Sequence, residues 1–363
     1  MDLQRYHRQL LLPQVGEEGQ RRLASSHALI VGCGALGSCQ AEILARAGVG
    51  RLTLVDRDCV ELTNLQRQVL FREQDAREGV PKAQAAKQQL KEINSDITVG
   101  AVVDDFNFTN AERLALHAPD RVNVILDGLD NFQTRYLLND LAVKYALPYV
   151  YGGAVSTQGM MMPVLPLADS APWETGESTP CLRCIFEEEP AAGSTPTCDT
   201  AGVLSPVVIL IASLQAAEAI KILLGKYKDV RRTLFNIDIW SNRIHEMALP
   251  APNPDCHCCG RRDFTYLVGE RNTRTTSLCG TGSVQVTPTV GNKDIDLSAL
   301  AERLAPHGVF ELKGMLLRGT LENEKGDNGQ PCKLTVFPNG RTIVNGISDP
   351  ARALTIHARY IGA

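Results

Sequence analysis

Hydrophobic residues recur along the first 150 positions with two different spacings. Near-continuous apolar runs of strand length occupy five segments: 27–32, 51–56, 97–106, 122–128 and 148–153. Between them, the apolar positions of three other segments return every three or four residues, as on one face of a helix: 36–47, 82–94 and 133–145. Buried strands that alternate with amphipathic helices predict an α/β fold, with a Rossmann-like, doubly wound, mostly parallel sheet.

The pattern changes after residue 153. Within the segment 154–200, two stretches at 166–180 and 187–200 are rich in Pro, Gly, Ser and Thr and are predicted to be surface loop. The apolar run 205–225 is long enough to span a membrane, but it contains Gln215 and Glu218. Because charged side chains are costly at the centre of a bilayer, a buried core or interface helix is favoured. The segment 231–249 alternates between apolar and polar residues, which predicts antiparallel C-terminal strands in the same sheet.

A second break near Gly260 divides the chain into two predicted domains, 1–260 and 265–363, the latter a small α+β C-terminal domain. In it, Asn339-Gly340 between apolar runs is a strong hairpin signal, and Asp349 precedes Pro350 as the expected N-cap of a final helix. The pattern also predicts two strands and a helix, at 283–288, 310–321 and 296–306 respectively.

Composition limits the classes of function. The 363 residues carry a net charge of -4, so no basic excess indicates nucleic-acid binding. No basic segment followed by an apolar one opens the chain, so no signal peptide is expected, the cytoplasm is the default compartment and no membrane partner is predicted. With 11 cysteines and no secretory signal, metal or redox chemistry is favoured over a disulfide framework.

A glycine-rich loop follows the first strand. Gly32, Gly34 and Gly37 match the G-x-G-x-x-G pattern, which provides a tight turn, a close backbone approach and helix packing. The helix that follows offers free N–H groups to a phosphate. Asp56 closes the next strand, where a carboxylate can accept both ribose hydroxyls. Taken alone, these features favour a dinucleotide such as NAD.

The residues after Asp56 favour a triphosphate instead. Asn64 and Arg67 follow shortly after it, and Lys82 opens the next helix. NAD needs a dry pocket for its neutral reactive end, whereas ATP carries concentrated negative charge that Arg and Lys stabilise as pyrophosphate leaves. Two cations and an amide near a phosphate loop therefore indicate ATP.

Asp130 lies just beyond the fourth predicted strand, in the segment "DGLDNFQTR". Ligands of open α/β sheets bind outside the carboxyl ends of the strands. A carboxylate placed there can hold Mg²⁺ between phosphates, since magnesium prefers few carboxylates together with phosphate oxygens. The alternative is that Asp130 caps the next helix, and the two roles are compatible.

Several ordered segments within residues 1–260 together resemble the ThiF/MoeB/HesA family, adenylyltransferases related to ubiquitin-activating enzymes. They are "RYHRQLLLPQVGEEGQ", "GCGALGS", "LVDRDCVELTNLQRQVLF", "PKAQAA", "DGLDNFQTRYLLND" and "TAGVLSP". The resemblance implies an enzyme that uses MgATP to adenylate the C-terminal glycine carboxylate of a small ubiquitin-like sulfur-carrier protein ending in Gly-Gly.

The same resemblance implies roles for single residues. Asp56 would bind ribose, while Asn64, Arg67 and Lys82 would bind phosphates and Asp130 would bind Mg²⁺. Arg8, in "RYHRQ", would reach into the ATP site of a second subunit, which implies a homodimer. Its mundane alternative is a solvated charge on an N-terminal helix. A sulfur donor such as a cysteine desulfurase or rhodanese is a further expected partner.

Two C-x-x-C pairs stand 71 residues apart and can supply four thiolates to one zinc ion. Four thiolates fill the tetrahedral coordination of zinc, so this predicted site would be structural, pinning two distant segments together. His257 or Cys258, between the second pair, remains an alternative ligand. The pairs are Cys181 with Cys184 and Cys256 with Cys259.

Cys198 stands alone in the polar segment "STPTCDTAG" and is a candidate for nucleophilic or sulfur chemistry. In relatives, the cysteine at this place can link to the activated carrier or to sulfur; the alternative is a free surface thiol. Some relatives carry a C-terminal rhodanese domain. The segment 265–363 does not resemble one, and an acceptor role for its Cys279 is a remote alternative.

Two other functions remain open from the residues. An NAD(P)-dependent oxidoreductase would use the glycine loop and Asp56 but would leave Arg67, Lys82 and the cysteine pairs without a role. A zinc-containing scaffold that binds a carrier without activating it would not need the polar set around the glycine loop. The sequence does not identify the carrier or pathway, whether thiamine, molybdopterin or another.

Overall fold

The computed structural model describes residues 3–116, 121–167, 171–188, 201–269, 275–278, 282–287 and 295–361. They fall into two compact units, Met1–Arg271 and Asn272–Ala363. The first unit is a mixed α/β structure and the second is a small antiparallel sheet with helices, so the predicted fold class is confirmed.

The sheet of the first unit has eight strands in the order β3-β2-β1-β4-β5-β6-β7-β8. The strands from β3 to β5 in this order pair in parallel, and those from β5 to β8 pair antiparallel. Their bounds are β1 His27–Val31, β2 Arg51–Val55, β3 Thr98–Val102, β4 Val124–Asp127, β5 Tyr149–Val155, β6 Gln158–Val164, β7 Thr233–Asp238 and β8 Arg243–Ala248.

Helices cover both faces of this sheet. Side chains at alternate positions of β1 enter two different cores: Ala28 and Ile30 pack with the helices of one face, and Leu29 and Val31 with those of the other. This double burial explains why the parallel strands are almost wholly apolar. The helices are α1 His7–Leu10, α2 Gly16–Ala24, α3 Ala35–Ala47, α4 Glu73–Glu78, α5 Lys82–Ile93, α6 Ala111–Leu116, α7 Phe132–Tyr145, α8 Leu182–Ile185 and α9 Ser205–Leu223.

The helix α9 is long and apolar enough to cross a membrane, yet more than half of its most apolar window is buried within the unit. It packs against α3, β5 and β6. Its two central polar residues are also buried with partners: Gln215 donates to the Val150 carbonyl, and Glu218 accepts from Lys221. The structure therefore agrees with the prediction of a buried helix.

The segment 154–200 also contains a strand that the sequence analysis did not predict, outside the two stretches predicted to be loop. The strand β6 lies inside this segment and forms a hairpin with β5, turning at Ser156, whose φ is +55°. The Met-rich run Gln158–Val164 is mostly buried in the sheet, so apolar burial outweighs the loop-like composition around it. The described residues here also contain α8.

The second unit is a six-stranded antiparallel sheet in the order β11-β12-β13-β14-β10-β9. The hairpin at Asn339-Gly340 is confirmed, and Asp349 caps the last helix by accepting the N–H of Ala351 at 3.0 Å. The elements are β9 Thr275–Leu278, β10 Ser283–Val286, α10 Leu297–Leu304, β11 Gly308–Lys313, β12 Leu316–Lys325, β13 Pro331–Val336, β14 Thr342–Asn345 and α11 Pro350–Tyr360.

One strand prediction in this unit needs correction. Residues 310–321 do not form a single strand, because the chain reverses between β11 and β12 at Gly314, whose φ is +58°. A positive φ costs glycine little, so Gly314 permits the tight turn.

Candidate active site and cysteine cluster

The carboxyl ends of β1, β2 and β4 meet at one edge of the large sheet. The Gly32 N–H donates to the Val55 carbonyl at 2.8 Å, and the Gly128 N–H donates to Val31 at 2.9 Å. A Cβ on Gly32 would lie 2.6 Å from the Gly128 oxygen, so no side chain fits where these two strand ends cross. The glycine loop and the Asp130 segment are therefore brought together by backbone contact.

The other two glycines of the loop differ in whether a side chain would fit at their position. A Cβ on Gly37 would lie 1.8 Å from the Gly32 oxygen, so the fold itself requires glycine there. A Cβ on Gly34 would lie 3.9 Å from its nearest protein neighbours, an ordinary contact distance. Gly34 is the N-cap residue of α3, so the space it leaves lies at a helix N-terminus, where anions bind.

Asp56 is buried at the end of β2 and accepts two backbone N–H groups. Its Oδ2 accepts from Cys33 at 2.6 Å and its Oδ1 from Asp58 at 2.7 Å. Burial raises the pKa of this carboxyl, while nearby Lys82 works to lower it. Each carboxylate oxygen has two lone-pair sites, so both keep an acceptor site for a ribose hydroxyl.

Lys82 opens α5 and points toward the same edge. Its Nζ lies 3.0 Å from the Asp58 Oδ2, and its side chain is 9% exposed. Burial would lower the pKa of Lys82, but Asp58, Asp56 and the Asp130 carboxylate raise it above its usual value. The lysine is therefore held charged beside the glycine loop.

Sequence reasoning missed Arg57, Asp58 and Asp105 at this edge. The Arg57 Nη1 lies 3.2 Å from the Asp105 Oδ1, and these side chains are less than a quarter exposed. Burial would lower the pKa of Arg57, whereas Asp105, Asp58 and Asp130 raise it. All three follow the carboxyl end of β2 or β3, and this position could have identified them as site residues.

Asn64 and Arg67 lie in a turn beyond β2. The Asn64 Oδ1 accepts the Glu61 N–H at 2.9 Å, so any bond from this carboxamide to a phosphate would come from its Nδ2. Arg67 is half-buried and donates to the Thr63 carbonyl at 3.0 Å. These contacts order the turn locally.

Asp130 is exposed beside the strand end, and its carboxylate influences both Lys82 and Arg57. The alternative role as helix N-cap was wrong. Asn131 is the N-cap of α7, because its Oδ1 accepts the Thr134 N–H at 2.9 Å. Asp130 itself lies one residue before the cap.

Arg8 lies on α1 and is exposed. Its expected role depends on a second subunit and stays a prediction. Cys198 and Cys279 lie outside the described residues, so their predicted roles also stay predictions.

The four cysteines of the two C-x-x-C pairs converge on one point of the first unit. Their Sγ atoms all lie within 4.8 Å of one another. The Sγ–Sγ distances are 3.9 Å for Cys181–Cys184, 3.6 Å for Cys181–Cys256 and 3.3 Å for Cys184–Cys259. A tetrahedral zinc site with Zn–S bonds of about 2.3 Å implies S···S distances of about 3.8 Å, so the donor set fits zinc.

The alternative ligands His257 and Cys258 do not belong to this group of four. Cys258 is fully buried, and its Sγ accepts from the Asn139 Nδ2 at 3.2 Å, while the His257 side chain is 58% exposed. On α7, Asn139 also accepts the Leu182 N–H at 2.7 Å. This helix therefore binds both cysteine segments through side-chain contacts.

The sequence and the fold both resemble those of known proteins. The sequence model that describes the ThiF family matches residues 6–258. The chain belongs to the ThiF family. The second unit lies outside the matched segment.

Two relatives of this ThiF family chain differ in how much of it they match. The "Sulfur carrier protein ThiS adenylyltransferase" of Bacillus subtilis is 38% identical over 359 residues, 99% of each chain. The "Sulfur carrier protein adenylyltransferase" of Thermus thermophilus is 38% identical over 71% of this chain and 91% of its own. The B. subtilis protein therefore aligns through the second unit as well.

Among solved structures, E. coli MccB crystallised with ATP has a TM-score of 0.58 and 27% identity. The match covers 70% of this chain and 74% of the MccB chain.

Proposed function

We propose that this ThiF family protein is an ATP-dependent adenylyltransferase that activates the C-terminal glycine carboxylate of a ubiquitin-like sulfur carrier ending in Gly-Gly. The supporting observation is the sheet order β2-β1-β4, which places Asp56 and the Asp130 loop on either side of the open space at Gly34. Lys82, paired with Asp58, lies beside them. The full-length similarity to the B. subtilis ThiS adenylyltransferase favours a carrier of the ThiS type, in thiamine biosynthesis, over a molybdopterin carrier.

In this proposal, ATP lies across the carboxyl ends of β1, β2 and β4. Asp56 accepts the ribose hydroxyls, and the amides at Gly34 and the start of α3 receive a phosphate. Lys82, Arg67 and the Asn64 Nδ2 bind the remaining phosphate oxygens. Asp130 is an exposed carboxylate, the kind of ligand that Mg²⁺ combines with phosphate oxygens, and we assign it that ion.

The chemistry is a displacement at the α-phosphorus. A carboxylate oxygen of the carrier forms the new P–O bond, the bond to the bridging oxygen breaks, and pyrophosphate leaves with the electron pair. Lys82 and Arg67 stabilise the charge that accumulates on pyrophosphate. The bound magnesium would neutralise further phosphate charge. No proton needs to move, so catalysis rests on alignment and electrostatics.

The four clustered cysteines would hold a structural zinc ion. Four thiolates complete its tetrahedral coordination and leave no position for a substrate. Cys181 and Cys184 would then be joined to Cys256 and Cys259 by the metal, which links two segments far apart in the chain.

We further propose a cytoplasmic homodimer in which Arg8 of one protomer contacts the ATP site of the other. Cys198 would accept the activated carrier or sulfur, and a cysteine desulfurase or rhodanese would supply that sulfur. A nucleic acid is not a proposed partner, in keeping with the net charge of -4, and neither is a membrane.

The test is exchange of labelled pyrophosphate into ATP by the purified protein with Mg²⁺ and a ThiS-type carrier. We expect exchange that requires the carrier and is lost when its terminal glycine is removed. Calorimetric titrations with ATP and with NADH run in parallel. Binding of NADH with no exchange would contradict the proposal and support the oxidoreductase, whereas carrier binding without exchange would support a scaffold.

A further inference from the structure

A buried ion pair lies directly behind the loop that carries Asp130. Asp127 is the last residue of β4 and has no exposed surface, and Arg135 lies one turn into α7 and is 6% exposed. The Arg135 Nε is 3.2 Å from the Asp127 Oδ2. The proposed chemistry at the ATP site gives neither residue a role.

This pair binds both backbone polar groups of Leu129, the residue before Asp130. The Leu129 N–H donates to the Asp127 Oδ1 at 2.9 Å. The Leu129 carbonyl accepts from the Arg135 Nη2 at 2.7 Å. The two charges therefore fix the peptide groups on either side of Leu129, one of which joins it to Asp130.

The guanidinium of Arg135 is itself held from several sides. Its Nη2 also donates to the Gly152 carbonyl of β5 at 3.0 Å. Its carbon lies 5.4 Å from the ring centroid of Phe132 and 5.2 Å from that of Tyr151. A planar guanidinium enclosed in this way has little rotational freedom, so the directions of its hydrogen bonds are fixed.

Asp127 is restrained equally well. The Tyr149 hydroxyl donates to its Oδ2 at 2.6 Å. Its backbone carbonyl accepts from the side chains of Gln40 on α3 and Gln215 on α9, both at 2.9 Å. Contacts from two helices and a neighbouring strand thus converge on the residue that supports Leu129.

Stability alone does not account for such a pair. Removing two charges from water is costly, and well-packed apolar side chains often stabilise a core as much or more. What the pair provides is a fixed direction for the backbone that follows β4. The exposed Asp130 side chain has few contacts in the described residues, its Oδ1 lying 3.3 Å from the Asn131 Nδ2, so its backbone sets its position.

We propose that Asp127 and Arg135 are positioning residues for the adenylylation reaction: through the backbone of Leu129 they set where Asp130 presents its carboxylate to magnesium. This inference rests on the proposed function, because it assigns Asp130 to the metal. It predicts that weakening the pair impairs the use of magnesium and the rate of exchange but not the affinity for the carrier.

The experiment compares Arg135→Lys and Tyr149→Phe with the wild type, in pyrophosphate exchange at a series of Mg²⁺ concentrations. We expect Arg135→Lys to lower kcat about 100-fold. It should also raise the half-saturating Mg²⁺ concentration about tenfold, with the KM for the carrier unchanged. Tyr149→Phe loses one bond to Asp127 and should show the same pattern, with about a threefold effect on each value.

The matched control is Arg262→Gln. Arg262 also donates to carbonyls of α7, those of Val143 and Lys144 at 3.4 and 3.5 Å, and stacks on Phe264, but at the far end of the helix. Thermal unfolding measures the loss of stability in each variant. The control should lose stability without a change in Mg²⁺ dependence.

The possible results separate this inference from the proposed function. If the wild type performs no exchange, the proposed function fails. If it exchanges, and both variants keep the wild-type Mg²⁺ dependence and kcat while losing stability, the pair is only structural and the inference is overturned. If Arg135→Lys does not fold, Tyr149→Phe decides by the same criterion.

Discussion

The sheet edge where the carboxyl ends of β1, β2 and β4 meet, here called the nucleotide edge, lies in the same unit as the cysteine cluster, but the two are built differently. At the edge, Lys82 and Asp56 have protein partners and keep capacity for a ligand, and Asp130 is left exposed. At the cluster, the four thiols face one another within 4.8 Å. The first arrangement suits a ligand that enters and leaves with each turnover, and the second suits one that stays.

One helix connects the two regions. Near its start, α7 carries Arg135, which holds the Leu129 backbone. About one turn later, the Asn139 side chain binds Leu182 and Cys258, and Asp140 accepts the Tyr266 N–H at 3.0 Å. The segments that carry the two cysteine pairs therefore contact the same helix that holds the loop of Asp130.

The largest expected effect is on stability, from Cys184→Ser. Structural zinc sites contribute about 10–16 kcal/mol in small domains, so loss of one ligand should cost on the order of 5 kcal/mol here. Zinc content by mass spectrometry and thermal unfolding check this. Full zinc occupancy with an unchanged melting temperature would contradict the proposal that the cysteine cluster is a structural metal site.

Asp130→Ala should show the opposite pattern. Loss of the proposed magnesium ligand should slow exchange about 100- to 1,000-fold, or about 3–4 kcal/mol. The melting temperature should hardly change, because the side chain is exposed. Exchange at the wild-type rate would exclude the role assigned to Asp130.

Asp140→Asn tests whether burial of an ionised carboxylate beside the cysteine cluster lowers the stability of the fold. Burial raises the pKa of Asp140 to about 6, above the unfolded value of about 3.9. The folded state therefore pays a penalty for the ionised form above about pH 6, which disappears as the pH falls toward 4. Relative to the wild type, the variant should gain about 2–3 kcal/mol between pH 4 and pH 7.5.

Urea unfolding at these two pH values measures the change, with the exposed Asp229→Asn as the matched control. A stability difference that does not depend on pH for Asp140→Asn would show that its ionised form carries no such penalty.

The smallest effect is expected at the nucleotide edge from Gly34→Ala. The new Cβ meets no protein atom closer than 3.9 Å, so folding should be preserved, while the KM for ATP should rise about tenfold. Gly37→Ala provides the contrast, because its Cβ would lie 1.8 Å from the Gly32 oxygen and should prevent correct folding. Equal ATP KM values for Gly34→Ala and the wild type would argue against phosphate at this position.

The features that the sequence predicted correctly depend on residues close together in the chain. The two hydrophobic periods gave the strand and helix order, Asn339-Gly340 gave a hairpin and Asp349 gave a cap, since each depends on a few neighbouring residues. The strand β6 was not predicted because its apolar run is short and directly precedes a stretch of loop composition. Gly314 was missed because a single glycine inside an apolar run does not reveal a chain reversal.

The partners of site residues were harder to predict. The spacing identified Lys82 but not Asp58 as its ion-pair partner, because 24 residues separate them. Arg135 is close to Asp127 in sequence, but its bond to the Gly152 carbonyl depends on how β4 and β5 pair. Such contacts come from sheet topology, which a single sequence does not specify.

The most direct test of the central claim follows an oxygen atom. The carrier is prepared with ¹⁸O at both oxygens of its C-terminal carboxylate and incubated with protein and MgATP. Hydroxylamine then attacks the acyl carbon of the adenylate, which forms the carrier hydroxamate and releases AMP with the bridging oxygen. If the carboxylate attacks the α-phosphorus, the AMP recovered must carry one ¹⁸O atom by mass spectrometry. AMP without the label, formed at the same rate, would contradict the account.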